Sequence, residues 1–203
     1  MKPFHVRTTA VALVVGLAGC AAARAGGPLR QLGDAGQELA PGRYTRAEFT
    51  PRIGFSVREG WTAQQVAPGF FDVQQDVGSP DVIAVQFATV AGAGSAAEAA
   101  AAIRANPQLR VVQDARSRVG GHAALRLLVE TLDPAATDPP IFRQVLTVTA
   151  GPIGIASGRR LRIDLIDTGS APLAILVGGS IAQWARALEV AEPVVRSVSV
   201  GGG

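Results

Sequence analysis

Apolar residues at every second position recur through most of this chain, and that period admits little besides a sheet. Residues 81–90 read DVIAVQFATV, which puts Ile83, Val85 and Phe87 on one face and Val82, Ala84 and Gln86 on the other. Residues 124–131 repeat the pattern, with Leu125, Leu127 and Val129 opposite Arg126, Leu128 and Glu130. Residues 53–57, 141–149 and 160–166 alternate in the same way, and residues 70–73, 109–112 and 173–177 read as further strands. Successive side chains of a strand point to opposite faces, so alternation with one polar face predicts half-exposed antiparallel strands. Gly120-Gly121, between two such runs, marks a tight turn.

Two stretches break the period. Ser95-Ala96-Ala97-Glu98 has the form of a capping box, in which the serine hydroxyl accepts from the N–H three residues on and the glutamate reaches back. Ala-rich sequence follows until Asn106-Pro107 stops the helix. Ser180-Ile181-Ala182-Gln183 predicts a second start, after which Trp184, Leu188, Ala191, Val195 and Val198 form an apolar stripe. Pro193 lacks an N–H, so a kink or break is expected near Ala191. Helices separated by runs of strands predict an α+β fold, an antiparallel sheet with two main helices packed on it. Residues 43–200 suffice for one domain with its own core.

The amino terminus is of another kind. Lys2, His5 and Arg7 precede an apolar run over residues 8–18, and Leu17-Ala18-Gly19-Cys20 closes it. The run is shorter than the ~18 apolar residues of a membrane span and has the layout of a secretory signal. Its end resembles the lipobox of bacterial lipoproteins. The resemblance implies cleavage after residue 19 and lipid attachment at Cys20, with two or three acyl chains, palmitate among them, holding the protein to a membrane. One chain binds marginally and two anchor stably. Cys20 is the sole cysteine, so an exported chain carries no internal disulfide. Ala21 in place of aspartate implies the outer membrane in a two-membrane cell; in a single-membrane cell the anchor places the protein on the outer face. Residues 20–42, rich in Ala and Gly and without an apolar period, are expected to be a flexible tether. Removing Lys2 and Arg7 from the 19 basic residues leaves 17 against 16 acidic ones, which gives no basis for nucleic-acid binding.

The domain is similar to the PsbP-like sandwich found in lipoproteins of GC-rich bacteria. Phe49, Pro51, Phe55, Val57, Gly60 and Trp61 carry the likeness at the start of the domain. The helix ending at Asn106-Pro107, Gly120-Gly121, and Glu192-Pro193-Val194-Val195 with Ser197-Val198 carry it further. The resemblance implies an accessory or binding role.

Chemistry-bearing residues are few. After cleavage His122 is the one histidine, expected on a hairpin surface. With one His and one Cys the usual zinc sites are excluded, and no phosphate-binding glycine loop or Gly-x-Ser-x-Gly elbow occurs. No cofactor, metal or catalytic residue is assigned. Trp61 is expected at the core edge, with a pocket beside it as the open question. Phe70-Phe71, if extended, point to opposite faces, which leaves room for one of them at the surface, and residues 133–140 (DPAATDPP) are expected to form a stiff connector. Asp167-Thr168-Gly169-Ser170 resembles the catalytic loop of aspartic proteases. Those enzymes need two carboxylates sharing a proton. This chain has no second copy of the motif, and 36 residues follow Asp167 where most of that fold would have to stand. The stretch is expected to be a hairpin turn. Three functions are thus weighed: a membrane-anchored lipoprotein binding an envelope protein or lipid partner, a dimeric aspartic protease using Asp167, and a purely structural envelope component.

Overall fold

A computed structural model describes residues 28–46, 49–133, 135 and 137–201. The expected signal segment, Cys20 and the expected tether up to residue 27 lie outside the described residues. In chain order the elements are β1 (Leu29–Gln31), β2 (Gln37–Leu39), β3 (Gly42–Arg46), β4 (Ile53–Val57), β5 (Trp61–Ala67), β6 (Phe70–Gln75) and β7 (Ile83–Thr89). Helix α1 (Ala96–Arg104) is followed by β8 (Leu109–Val119), β9 (His122–Thr131), β10 (Phe142–Val148), β11 (Gly151–Ala156), β12 (Arg159–Ile166) and β13 (Leu173–Ser180). Helix α2 (Trp184–Arg196) and β14 (Ser199–Val200) close the fold.

An eight-stranded antiparallel sheet in the order β2-β5-β6-β7-β13-β12-β9-β8 is the middle layer. On one face lie α2 and a four-stranded sheet, β1-β3-β4-β14, in which β1 pairs with β3 in parallel. On the other lie α1 and the β10-β11 hairpin. The α+β class with two helices packed on antiparallel sheet is as the sequence predicts. The half-exposed face is not. Along β13 Leu173, Ile175 and Val177 enter one core while Ala174 and Leu176 enter the other. β12 buries both sides as well, including Arg162 and Asp164. Polar residues at alternate positions were the signal for exposure, but these two neutralise each other inside the protein.

Aromatic packing fills the first core. Phe71 stacks on Phe87 at 4.5 Å between ring centroids and on Phe55 at 5.3 Å, and Phe49 meets its edge at 5.3 Å. Helix α2 lies close over β13 because residue 179 has no side chain: a Cβ there would stand 2.6 Å from the Cβ of Ala187. At the β8-β9 turn Gly120 and Gly121 have φ of 57° and 83°, the left-handed pair of a two-residue hairpin loop.

Three local expectations are corrected. The segment expected to be tether is folded from Leu29 onward: β2 pairs with β5, and Leu32 and Leu39 are each 1% exposed. Three-residue strands are too short to show a period, so two buried leucines were the sole trace. The box at Ser180 does not start a helix. Ser180 ends β13, its hydroxyl accepts from Gln183 N at 3.2 Å, and α2 begins at Trp184. Of the kink or break expected near Ala191, the break does not occur: α2 runs through Pro193 to Arg196. The Ser95 box is formed, with Ser95 Oγ accepting from Glu98 N at 3.1 Å, although the glutamate reaches Gly94 N at 2.7 Å rather than Ser95.

Two substitutions test this packing. Phe71→Ala should cost about 3–5 kcal/mol in denaturant unfolding, the range for a fully buried phenylalanine. Gly179→Val should cost about 1–3 kcal/mol by forcing α2 off the sheet, while Gly92→Val, with open space around its Cβ position, tests strain from its φ of 75° alone.

Candidate functional site

The residues singled out in the sequence do not converge. Asp167 is exposed in the β12-β13 turn, and its Oδ1 accepts from Ala96 N at 2.6 Å. The carboxylate caps the first turn of α1, where a negative charge also meets the positive end of the helix dipole. Thr168 Oγ1 donates to Ala171 O at 2.8 Å, closing the turn on itself. His122 is exposed at the start of β9, with Nε2 3.2 Å from Val200 O. Phe70 and Phe71 face opposite cores, and both are buried at 6% and 0% exposure. One of them was expected at the surface; the hairpin β10-β11 covers it. Residues 132–142 bring Leu132, Ile141 and Phe142 to the surface.

Trp61 opens β5 and is 2% exposed, a core residue. Beside it is a groove of about 820 Å³ between α2 and the β4-β5 turn, with Val57, Val190 and Pro193 in its wall and Arg58, Glu59 and Glu189 at its rim.

A second cleft, of about 510 Å³, lies between the β10-β11 hairpin and the β5-β6-β7 edge of the large sheet. Gln64, Gln65 and Gln86 supply amides, and Phe70, Val148 and Ile153 supply apolar wall. No side chain lining it is charged. Beneath these glutamines is Asp72, 1% exposed. Gln64 is the extra residue of a β-bulge between β5 and β6, and a bulge turns backbone N–H groups out of the ladder. Asp72 Oδ1 accepts from Gln65 N at 2.6 Å and Oδ2 from the Gln74 amide at 2.7 Å, with Gln86 beside it in register. Burial pushes the Asp72 carboxyl above the usual carboxylate range, and these hydrogen bonds recover part of the shift. The alternation of β6 concealed this residue: a lone acid in Phe70-Phe71-Asp72-Val73 was the available signal.

Charge is concentrated at the other end of the sheet, in two clusters. Asp164, 0% exposed, accepts from Arg126 Nε at 2.7 Å and Ser117 Oγ at 2.8 Å, and Arg162 Nε lies 3.2 Å from its second oxygen. Arg162 Nη1 continues to Glu192 on α2 at 2.8 Å, and Arg196 joins at 3.0 Å. Glu130, 1% exposed, is held between Arg110 and Arg160, and Arg160 lies 5.7 Å from the ring centroid of Trp184. Burial raises the Glu130 carboxyl, but the bonds and charges of the two arginines outweigh it, so it sits below its ordinary range.

No protein-family model matches the chain, and no curated protein sequence matches it. Among solved structures it is similar to LpqN of Mycobacterium tuberculosis, described as involved in cell envelope biogenesis, with 10% identity, 85% of this chain and 89% of that chain covered, and a TM-score of 0.45. It is similar to the cyanobacterial PsbP of Synechocystis with 12% identity, 83% and 98% coverage, and a TM-score of 0.45. A protein of Bacteroides thetaiotaomicron follows at 8% identity and a TM-score of 0.42, with 74% of this chain aligned to 45% of that longer chain.

Glu130 and Asp72 predict opposite pH dependences. The folded protein binds the Glu130 proton more weakly than the unfolded chain. Its pairing therefore stabilises above the ordinary value of 4.5 and is lost as pH falls through and below it. Asp72 binds its proton more tightly when folded, so it opposes folding as pH rises above the ordinary 3.8. Urea unfolding measured from about pH 6 to pH 3 should show a loss of stability that Glu130→Gln flattens and Asp72→Asn steepens. Asp164→Ala should cost about 3–5 kcal/mol near neutrality, because it strands Arg162 without its buried counter-ion.

Proposed function

We propose that this protein is a lipid-anchored, extracytoplasmic binding module, attached through Cys20 and working through the cleft under the β10-β11 hairpin rather than through catalysis. The observation that carries the binding reading is the lining of that cleft: amides and apolar groups around a buried, hydrogen-bonded carboxylate, with no charged side chain in the wall. Such a lining orients a ligand by hydrogen bonds and excludes water, and holds neither nucleophile nor base at its surface. The anchor rests on the signal-like opening and on Cys20 as the one cysteine. The partner is an envelope component. The protease reading is disfavoured by Asp167 itself, whose carboxylate is committed to the α1 N-terminus.

Each part has its own test. Cys20→Ser should move the protein from the membrane fraction to the soluble exported fraction and leave the signal uncleaved at residue 19; unchanged membrane association and processing would remove the anchor. A photo-crosslinker carried on Gln86→Cys should give adducts in cell envelopes that the same probe on exposed Arg116→Cys does not. Equal labelling from both positions would remove the cleft as the binding site. Asp167→Asn should lower stability by about 0.5–1 kcal/mol through the weakened cap and leave peptide hydrolysis at acid pH at background. Pepstatin-sensitive hydrolysis abolished by that substitution would reinstate the protease.

A further inference from the structure

Strand β11 is paired on one side only: among the described residues its one sheet partner is β10. Ser157 N donates to Ile141 O at 2.8 Å, so Ile141 with Ser157, and two residues along Arg143 with Ile155, are the hydrogen-bonded positions of this antiparallel ladder. Gly154 and Ala156 alternate with them, and their N–H and C=O groups therefore point away from β10. Ile153 and Ile155 are buried against the sheet while Pro152 and Gly154 are exposed, and Ala156, 8% exposed, still lines the smaller pocket, so the strand keeps an open edge along the cleft.

What borders that edge is low, and uncharged along its larger part. The cleft of about 510 Å³ and a smaller one of about 150 Å³ share Gln86 and Gly154 and so flank β11 in succession. The smaller is floored by Ala84 and Gly178 and is also lined by Arg159 and Arg160. Gln74, Ala84 and Gly178 stand in register across β6, β7 and β13 and are all half-exposed, on the face that the hairpin and α1 otherwise cover. Ala and Gly there leave room for backbone to approach. A strand edge with two side-chain pockets spaced along it is the arrangement that takes an added strand, in which main-chain bonds supply affinity and alternate pockets supply selection.

We propose that this groove takes an extended polypeptide segment of another envelope protein as a third strand beside β11. The strand bonds through its main chain to Gly154 and Ala156. One of its side chains, polar and uncharged, meets the amides of Gln64, Gln65 and Gln86, and a small one faces Ala84 and Gly178. The occupant is polypeptide because the groove offers unpaired amide donors and acceptors along an edge, and because the walls of its larger part carry no charge for an ionic ligand. The proposal rests on the cleft being the binding site.

A random-sequence octapeptide library displayed on phage, panned on the full-length protein, tests it. Gly178→Leu fills the floor; a Cβ at 178 meets only Leu161 Cδ1 at an ordinary 3.6 Å, and an unchanged denaturant unfolding curve for the variant checks that the fold is kept. Selected peptides should bind the variant about tenfold or more weakly, a change of about 1.4 kcal/mol or more. N-methylation of their alternate amides should weaken binding to the unaltered protein by at least as much. Amide exchange at Gly154 and Ala156 should slow in the complex. Failure to enrich any peptide over the Gly178→Leu protein, or tolerance of N-methylation, overturns the added strand. A dimer in sedimentation that Gly178→Leu abolishes gives the edge to a second copy and overturns the choice of partner. Gln86 adducts that contain no polypeptide keep the binding reading and overturn this one; loss of the Gln86 adducts altogether overturns both.

Discussion

Asp164 lies wholly out of water in the middle of a sheet, and the protein tolerates a carboxylate there because Arg126, Arg162 and Ser117 close around it. Desolvating an ion costs several kcal/mol even after relaxation, and attraction between partners returns that only when the remaining donors and acceptors are also met. The same guanidinium that faces Asp164 reaches Glu192 on α2. The cluster therefore ties the helix layer to the sheet at a fixed place. With Gly179 against Ala187 as the second point, α2 has one seat on β13. The four-stranded sheet then fills the remainder of that face around the Phe55, Phe71 and Phe87 stack.

Covering both faces changes what an alternating sequence means. In a sheet with one wet face, polar residues at every second position mark the water side. In β12 they mark an interior charge cluster, and the pattern is the same. This is why the strands, their direction and the α+β class were legible while the layer count was not. Residues 160–166 read as a strand on period alone. Nothing in Arg162 and Asp164 says that α2 will lie above them, because that depends on Glu192, thirty residues on from Arg162. The tether failed for a related reason. Leu32 and Leu39 are buried by partners that come much later in the chain, and strands of three residues carry no period of their own.

The cleft was illegible for the opposite reason: its elements are ordinary. Gln64, Gln65 and Gln86 lie in two different strands, and no motif joins them. They come together because a bulge at Gln64 turns β5 and because Asp72 sits in register with Gln86. Asp72 has a sufficient structural role, since it accepts the N–H groups that the bulge frees. A polar floor for the cleft follows from that role. A buried acid recruited to hold a bulge must be surrounded by donors, and glutamine amides supply donors without adding charge.

Asp167 shows how local chemistry is decided by position. Asp-Thr-Gly-Ser is a turn that presents a carboxylate, and it serves whatever that carboxylate reaches. In an aspartic protease the reach is toward a second acid, and shared protonation makes a base. Here β12 and β13 are paired in register from Ile166 with Leu173 downward, so the turn between them has one place to stand, above the first turn of α1. The helix needs acceptors for its first N–H groups, and Ser95 and Asp167 provide two of them. The same carboxylate that tempts an enzymatic reading thus fixes α1. Helix α1 flanks β10, whose pairing holds β11 above Gln86 and leaves its far edge open. The acid thus helps hold the wall of the cleft in place.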